Sequence, residues 1–238
     1  MPDRVTSDLI GGGSRVAVVG GGSGALGSAV VERLHASGWA VVVPAREPDR
    51  VQAPAGVHVL RCDLDDAVAV DRLAGDVAAL GGWWALVNAS GGYARGSAHE
   101  LDNDAIQAQL NLNLLGPWRL ARAGARAMSA AGGGGRIVNV ASKAAVDPAR
   151  GQAAYQVSKT GLLRLTQVMA LELKPVGVTV NAVLPQTIDT AANRVAMPDA
   201  DVGRWVTPDE IAAVIEWLLS PAAAAVTGAA IPVYERPR

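Results

Sequence analysis

The sequence predicts an α/β fold in three layers, in which a doubly wound parallel sheet of about seven strands has helices on both faces. Short β-branched runs alternate along the chain with longer alanine-rich segments of helical period, which is the pattern of successive βαβ units. Right-handed crossovers between parallel strands place helices on both sides of the sheet. The chain has 238 residues and is 50% hydrophobic, which is enough to fill a core on each face of one such domain.

Each element follows from a local pattern. The β-branched runs predict strands near residues 15–19, 40–44, 57–61, 84–88, 136–141, 178–183 and 230–234. The segments of helical period predict helices near residues 25–37, 67–80, 102–130, 152–174 and 208–219. Pro175 and Gly177 are expected to end the fourth helix, and Thr207 followed by Pro208 to begin the fifth.

The elements predict a single domain over residues 15–238. Residues 1–14, which include Gly11 to Gly13, are expected to form a flexible N-terminal segment, and residues 235–238 a solvated tail. In an open parallel sheet, ligands bind at the carboxyl ends of the strands, where the strand order reverses. We therefore expect the functional residues at the ends of several different strands.

Composition excludes several classes of partner. Lys and Arg total 21 against 22 Asp and Glu, so the basic excess that a nucleic acid requires is missing. Apolar runs are of strand length, well below the roughly 20 residues of a membrane helix. The three histidines are scattered, and a single cysteine, Cys62, supplies neither a disulfide nor a zinc cluster. We expect a cytoplasmic protein with no nucleic-acid, membrane or metal partner.

A glycine-rich turn follows the first predicted strand. Val16 to Val19 precede a turn and a helix start in the order that a dinucleotide site requires. Glycine permits backbone angles closed to other residues and lets a diphosphate approach the backbone, while the helix directs free N–H groups at it. The pattern predicts a Rossmann-type cofactor site formed by Gly21, Ser23, Gly24, Ala25, Leu26 and Gly27. A flexible loop is the alternative.

The second predicted strand indicates which cofactor is bound. A carboxylate at the end of this strand would hold the adenosine ribose of NAD, but the chain has Ala45 there. Arg46 instead offers a planar, permanently charged guanidinium suited to a 2′-phosphate. The sequence therefore favours NADPH or NADP over NADH, unless Arg46 is simply a solvated loop residue.

Tyr155 and Lys159 are the strongest catalytic candidates. Residues four apart on a helix lie on one face and can share a site. An ammonium at Lys159 is expected to favour the phenolate of Tyr155 and to bring its pKa down toward working pH. Tyr155 could then act as general acid toward a carbonyl oxygen, with Ser142 holding that oxygen by a hydrogen bond.

Together these residues resemble the short-chain dehydrogenase/reductase (SDR) family, from Val16 to Val233. The resemblance rests on an ordered set of motifs: the glycine turn, Cys62-Asp63-Leu64, Asn88-Ala89-Ser90-Gly91, Asn113-Leu114-Leu115-Gly116, Ser142, and Tyr155-Gln156-Val157-Ser158-Lys159. The second and third positions of Asn88-Ala89-Ser90-Gly91 depart from the family's Asn-Asn-Ala-Gly.

The resemblance implies a role for each matched residue. Asn113, Ser142, Tyr155 and Lys159 would be the catalytic set, in which Asn113 positions a proton-relay water and Lys159 binds the nicotinamide ribose. The implied cofactor contacts are Asp63, Leu64, Asn88, Ala89, Ser90, Gly91, Tyr155, Lys159, Pro185, Ile188 and Thr190. A short substrate lid is expected near residues 190–206, and Tyr93 and Trp205 are candidates for the substrate pocket because they flank the strand ends and this lid.

Details outside these motifs are similar to dihydropteridine reductase-like members of the family. They are the Gly91-Gly92 pair, Lys143-Ala144-Ala145, and above all the stretch from Leu184 to Trp205. Two departures point away from that activity. Ser142 stands where dihydropteridine reductases typically have Ala, and Ala45 stands where they have the Asp that favours NADH.

The sequence thus predicts an NADPH-dependent reductase of a carbonyl group in a small molecule, reversible as an alcohol dehydrogenase. A dihydropteridine reductase acting on quinonoid dihydropterin, and a catalytically silent NADP-binding regulatory protein, are the alternatives. In this family, helices such as those near 102–130 and 152–174 pair between subunits, so a homodimer or homotetramer is expected by analogy.

Overall fold

A computed structural model describes residues 16–236, and its centre is a parallel sheet of seven strands in the order β3-β2-β1-β4-β5-β6-β7. The strands are β1 (Val16–Gly20), β2 (Ala40–Ala45), β3 (His58–Arg61), β4 (Trp83–Asn88), β5 (Gly135–Val140), β6 (Val178–Pro185) and β7 (Ala230–Val233). The order reverses between β1 and β4, so the predicted doubly wound sheet is confirmed.

Within residues 16–236, seven α-helices connect the strands. They are α1 (Ala25–Ala36), α2 (Ala67–Ala79), α3 (Asn103–Leu110), α4 (Gly116–Ala130), α5 (Ala153–Leu173), α6 (Ala191–Ala196) and α7 (Pro208–Leu219). The predicted end signals explain two boundaries. Gly177 adopts φ +72° after the last turn that follows α5, and Thr207 forms a capping box with Glu210 at the start of α7.

The core consists of two layers, one on each face of the sheet. Val16 and Val18 of β1 lie in one hydrophobic cluster, whereas Ala17 and Val19 lie in the other, because successive strand residues point to opposite faces. Helices α2, α4 and α5 cover the first cluster with residues that include Leu73, Leu120 and Leu162. Helices α1 and α7 cover the second with residues that include Leu34, Ile211 and Ile215.

Two features differ from the sequence prediction. The helix expected over 102–130 is divided by a π-helical turn, Asn111–Leu115, in which the backbone N–H of Gly116 donates to the carbonyl of Asn111. Such a turn has no periodicity signal, since it adds only one residue to a helix. The short helix α6 was not predicted either, because six residues are too few to display an amphipathic pattern.

Glu235 and Arg236, the described part of the expected solvated tail, are exposed but form ion pairs. The carboxylate of Glu235 accepts from Gln186 Nε2 at 3.0 Å and pairs with Arg204, while Arg236 Nε lies 2.9 Å from Glu210 Oε1. The hydrogen bond from Arg236 holds the pKa of Glu210 at about 2. Glu235 and Arg236 are therefore attached at the surface, because the chain leaves β7 beside oppositely charged side chains.

The expected flexible segment, residues 1–14, lies outside the described residues. Within residues 16–236, none of the helices combines the length and the apolar character that crossing a membrane requires.

Candidate active site

The glycine turn packs tightly against the loop that follows β4. Gly21 has φ +78°, and a Cβ atom there would lie 2.5 Å from the backbone N of Ser90. A Cβ atom on Gly27 would lie only 2.0 Å from the carbonyl oxygen of Gly21. Side chains are therefore excluded at both positions, and the backbone of the turn faces the edge of the sheet.

Helix α1 begins at this turn with its N-terminus open. Gly24 is the N-cap residue, no side chain caps the first turn, and no acidic residue lies within that turn. Ser23, Gly24 and Ala25 are exposed, whereas the Leu26 side chain is buried in the core and only its backbone can face a ligand. Free N–H groups and the positive end of the helix dipole fit the diphosphate of a dinucleotide.

The residues predicted for the adenosine end follow β2 and β3. Arg46 is exposed, and its neighbour Glu47 pairs with Arg50 at 2.7 Å. Asp63 is half-buried and its Oδ1 accepts from the backbone N of Asp65 at 3.0 Å. These residues lie at one end of the sheet, on the β1 side of the reversal.

Leu64, the other residue predicted at the adenine, is half-buried between helices. A Cβ atom on Gly116 would lie 3.3 Å from Leu64 Cβ, and the carbonyl of Leu64 accepts from Arg119 Nη1 at 3.1 Å. Its position is therefore fixed by the start of α4.

Asn88 ends β4 inside the protein. Its Nδ2 donates to Asn139 Oδ1 at 2.8 Å and to the carbonyl of Pro117 at 3.1 Å, and the residue is fully buried. Asn139 Nδ2 in turn donates to Thr166 Oγ1 at 2.8 Å. This chain of hydrogen bonds joins β4, β5 and α5. The Asn88 amide therefore fixes these elements relative to one another beneath the site.

The loop after β4 joins the glycine turn to the catalytic candidates. The backbone N of Ala89 donates to the carbonyl of Gly20 at 2.8 Å. Ser90 lies against Gly21, and a Cβ atom on Gly91 would lie 2.9 Å from Asn113 Oδ1 and 3.0 Å from Lys159 Nζ. Gly91 is therefore the point at which Asn113 and Lys159 come together.

The side chain of Asn113 is fully occupied within the protein. Its Oδ1 accepts from the backbone N of Gly92 at 2.9 Å, and its Nδ2 donates to the carbonyl of Gly92 at 3.0 Å and to Gln109 Oε1 at 3.1 Å. Asn113 lies in the π-helical turn, and such turns are frequent at functional sites. Gln109 was not predicted, although its spacing of four residues from Asn113 is the available signal.

Lys159 lies in the interior next to the end of β5. It is 4% exposed, and its Nζ donates to the carbonyl of Val140 at 2.9 Å. Burial lowers the pKa of Lys159 to about 8, because an ammonium loses its hydration there.

Ser142, Tyr155 and Tyr93 form the other half of the site. Ser142 follows β5, is buried, and lies near enough to the phenol of Tyr155 to influence its pKa. The Tyr93 and Tyr155 rings are in edge contact, with centroids 5.2 Å apart and an angle of 79° between their planes. Tyr93, predicted for the substrate pocket, is half exposed and lies directly beside the catalytic candidate.

The pKa of Tyr155 is a correction to the sequence analysis. Burial raises it above its usual value, the hydrogen bond from Ser142 opposes that rise, and Tyr93 adds to it. The expectation that Lys159 lowers this pKa is wrong for this structure, because burial dominates and the Lys159 ammonium is bonded to Val140. Tyr155 is thus a protonated phenol at neutral pH.

The segment after β6 contains the residues predicted near the nicotinamide. Pro185 ends β6. Beyond it, Ile188 pairs with Val206, and this pairing closes the base of the loop formed by residues 189–205. Thr190 caps α6 by accepting from the backbone N of Asn193 at 3.2 Å, and Asn193 Nδ2 donates to the carbonyl of Ile188 at 2.8 Å.

Trp205 is buried rather than open to the surface. It is 7% exposed and lines a cleft of about 160 Å³ together with Gln186 and Tyr234. Lys143 Nζ lies 3.3 Å from Gln186 Oε1 and 5.4 Å from the centroid of the Tyr234 ring. Lys143 and Gln186 were not predicted as site residues, although each directly follows one, Ser142 or Pro185.

The geometry brings a buried ammonium, a hydroxyl and a protonated phenol to the sheet edge where an open helix N-terminus also lies. Such an arrangement can bind a dinucleotide and can hold and protonate an oxygen atom.

Comparison with known proteins gives the same picture. A family model described as short chain dehydrogenase matches residues 15–201. Acetoacetyl-CoA reductase of Shinella zoogloeoides is 34% identical over 92% of this chain and 96% of its own. The 3-oxoacyl-acyl-carrier-protein reductase MabA of Mycobacterium tuberculosis is 32% identical over 92% of this chain and 91% of its own. A variant of actinorhodin polyketide ketoreductase, solved with NADPH, superposes with a TM-score of 0.84 at 29% identity over 93% of this chain and 96% of its own.

Two alternatives from the sequence analysis gain nothing from these comparisons. The names of these relatives are those of ketone-reducing enzymes, and they support neither a dihydropteridine reductase nor a catalytically silent protein.

The influence of Ser142 on the pKa of Tyr155 can be tested by titration. In the Ser142→Ala variant, the pKa of Tyr155 should rise further, because the bond that favours the phenolate is lost while burial remains. The difference in near-ultraviolet absorbance between each protein and its Tyr155→Phe counterpart, followed against pH, isolates this phenol. Ser129→Ala, on the exposed side of α4, is the control and should leave the titration unchanged. An unchanged or lower pKa in Ser142→Ala would contradict the assignment.

Proposed function

The chain belongs to the short-chain dehydrogenase/reductase family of NAD(P)-dependent oxidoreductases, and from this we propose that it is an NADPH-dependent reductase of a ketone or similar carbonyl group in a small molecule. The reverse reaction is the oxidation of an alcohol. The observation that supports this most directly is that Ser142 lies near enough to the Tyr155 phenol to oppose the rise in its pKa, one helical turn from Lys159 and at the same sheet edge as the glycine turn.

The proposed cofactor site extends along the carboxyl ends of the strands. Its diphosphate part comprises Gly21, Ser23, Gly24, Ala25, Leu26 and Gly27, with Arg46, Asp63 and Leu64 at the adenosine. Its nicotinamide part comprises Asn88, Ala89, Ser90, Gly91, Tyr155, Lys159, Pro185, Ile188 and Thr190. When bound, the reduced nicotinamide supplies the hydride that reaches the carbonyl carbon.

The catalytic residues act on the carbonyl oxygen. Ser142 holds this oxygen by a hydrogen bond, and the phenol of Tyr155 donates its proton to it. The raised pKa of Tyr155 keeps that proton in place at neutral pH. Below its pKa of about 8, Lys159 is an ammonium that holds the nicotinamide ribose, and Asn113 supports the path by which Tyr155 regains a proton.

The preference for NADPH rests on the charges that follow β2. Arg46 is exposed, whereas the neighbouring Glu47 is neutralised by Arg50 at 2.7 Å and is not a free carboxylate for a ribose. A guanidinium in this position suits a 2′-phosphate. NADPH is also the cofactor bound in the solved actinorhodin polyketide ketoreductase.

The proposed substrate is a ketone such as a 3-oxoacyl thioester. The names of two relatives are those of reductases that act on such compounds. The substrate would lie beside Tyr93, next to the Tyr155 ring, under a lid formed by residues 190–206 that includes Trp205.

We further propose that a second copy of this chain packs on α4 and α5. Trp118 is 46% exposed and Leu171 is 76% exposed, and Trp118 and Val168 line a groove of about 470 Å³ between these helices. Large apolar side chains grouped on one surface favour an interface between subunits. We therefore propose that the protein assembles as a homodimer or homotetramer.

Replacing Tyr155 by Phe tests the catalytic assignment. Turnover of acetoacetyl-CoA with NADPH should fall by about a hundredfold or more, because the proton donor is lost while the ring remains. The affinity for NADPH, measured by calorimetry, should stay within about twofold. Tyr234→Phe, which keeps its ring against Lys143, serves as the matched control and should retain activity. Full activity in Tyr155→Phe would exclude the mechanism.

Replacing Arg46 by Ala tests the cofactor preference. The dissociation constant for NADPH should rise about tenfold, because a charge-assisted contact with the 2′-phosphate is lost, whereas that for NADH should hardly change. Arg72→Ala, an exposed arginine of α2 outside the proposed cofactor site, should alter neither constant. An equal loss for both cofactors would show that Arg46 does not select NADPH.

Replacing Leu171 by Glu tests the subunit interface. A charge placed among the exposed apolar side chains of α4 and α5 should shift the protein toward the monomer in sedimentation velocity, while the far-ultraviolet spectrum stays unchanged. Val68→Glu, on the exposed side of α2, should leave the oligomeric state as it is. An unchanged oligomer in Leu171→Glu would place the interface elsewhere.

A further inference from the structure

A second arginine lies beside Arg46 at the carboxyl end of the sheet. Strands β2 and β3 are parallel neighbours, and Ala45 is opposite Arg61 in their register. The Arg61 side chain reaches across this pair, and its Nη1 donates to the carbonyl oxygen of Arg46 at 2.8 Å. This bond places the Arg61 guanidinium directly beside the residue that enters the loop after β2.

Two of the acidic side chains near these two arginines are paired with other arginines. Glu47 pairs with Arg50 at 2.7 Å, and Asp65 pairs with Arg119 at 3.3 Å. Within residues 16–236, neither Arg46 nor Arg61 forms an ion pair, and both are exposed. Two exposed arginines therefore lie at this rim without an ion-pair partner among the described residues.

A purely structural role would leave most of the Arg61 guanidinium unused. The group has five N–H donors in a planar fork, and the bond to the Arg46 carbonyl takes one of them. A neutral side chain could make that bond without placing a second cation next to the first. The excess of donors and of charge points to an anion with several acceptor oxygens.

We infer that Arg61 is the second guanidinium of a 2′-phosphate site. It fixes the backbone at Arg46 with one donor and binds the phosphate of the cofactor with the others, so that the phosphate lies between two arginines. The inference rests on the proposed NADPH preference and adds to it the residue that shares the phosphate with Arg46.

The test compares two ligands that differ only in the 2′-phosphate, adenosine 2′,5′-bisphosphate and adenosine 5′-monophosphate. Calorimetry on the full chain gives their dissociation constants for the wild type, Arg61→Gln, Arg61→Lys and Arg46→Ala. In Arg61→Gln, the constant for the bisphosphate should rise about tenfold and that for the monophosphate less than twofold. Arg61→Lys keeps the charge but not the fork, and its loss should be about threefold.

Arg72→Gln is the matched control, because Arg72 is an exposed arginine of α2 that lies outside the proposed phosphate site. Its binding of both ligands should stay within about twofold of the wild type. If Arg61→Gln fails to fold, as judged by its thermal unfolding, Arg61→Lys provides the comparison.

Three results would overturn the inference. Unchanged bisphosphate binding in Arg61→Gln, with a loss in Arg46→Ala, would leave the NADPH preference intact and remove Arg61 from the site. An equal loss of both ligands in Arg61→Gln would assign Arg61 a structural role alone. A wild type that binds the two ligands equally would remove the 2′-phosphate site altogether, together with the proposed NADPH preference.

Discussion

A line of buried hydrogen bonds from Asn88 through Asn139 to Thr166 fixes the parts of the site relative to one another. The three side chains belong to β4, β5 and α5. Strand β4 leads into the loop that contains Gly91, β5 leads to Ser142, and α5 contains Tyr155. A shift of one element relative to the others would separate these three residues. A buried amide without a hydrogen-bond partner destabilises the folded state, so these bonds are strongly favoured. They therefore fix the positions of the site residues that follow β4 and β5.

Burial shifts the pKa values of Lys159 and Tyr155, two ionisable groups of α5, in opposite directions. Burial lowers the pKa of Lys159 to about 8 and raises that of Tyr155. In both cases the uncharged form is favoured, since removing water penalises an ammonium and a phenolate alike. The protein thus holds a protonated phenol beside an ammonium whose charge is only moderately stable, and a negatively charged ligand nearby would strengthen that charge.

Much of this arrangement could be predicted from the sequence. The seven strands, the sheet reversal and the glycine turn follow from hydrophobic period and turn chemistry, and the structure confirms them. The spacing of Tyr155 and Lys159 places both on one helix, but the sign of the Tyr155 pKa shift depends on burial in three dimensions, which spacing does not contain. The π-helical turn at Asn113 and the contact between Arg61 and Arg46 depend on local backbone geometry and strand register. The roles of the site residues remain predictions.

Three ion pairs near the surface add to the backbone pairing and apolar packing that hold the segment between β6 and α7. Arg194 binds Asp189 through two hydrogen bonds, Arg236 pairs with Glu210, and Arg204 pairs with Glu235. Ionic strength weakens pairs of this kind while it leaves apolar packing untouched. A rise in ionic strength therefore loosens the ionic attachments of this segment, and the packing of the core stays the same.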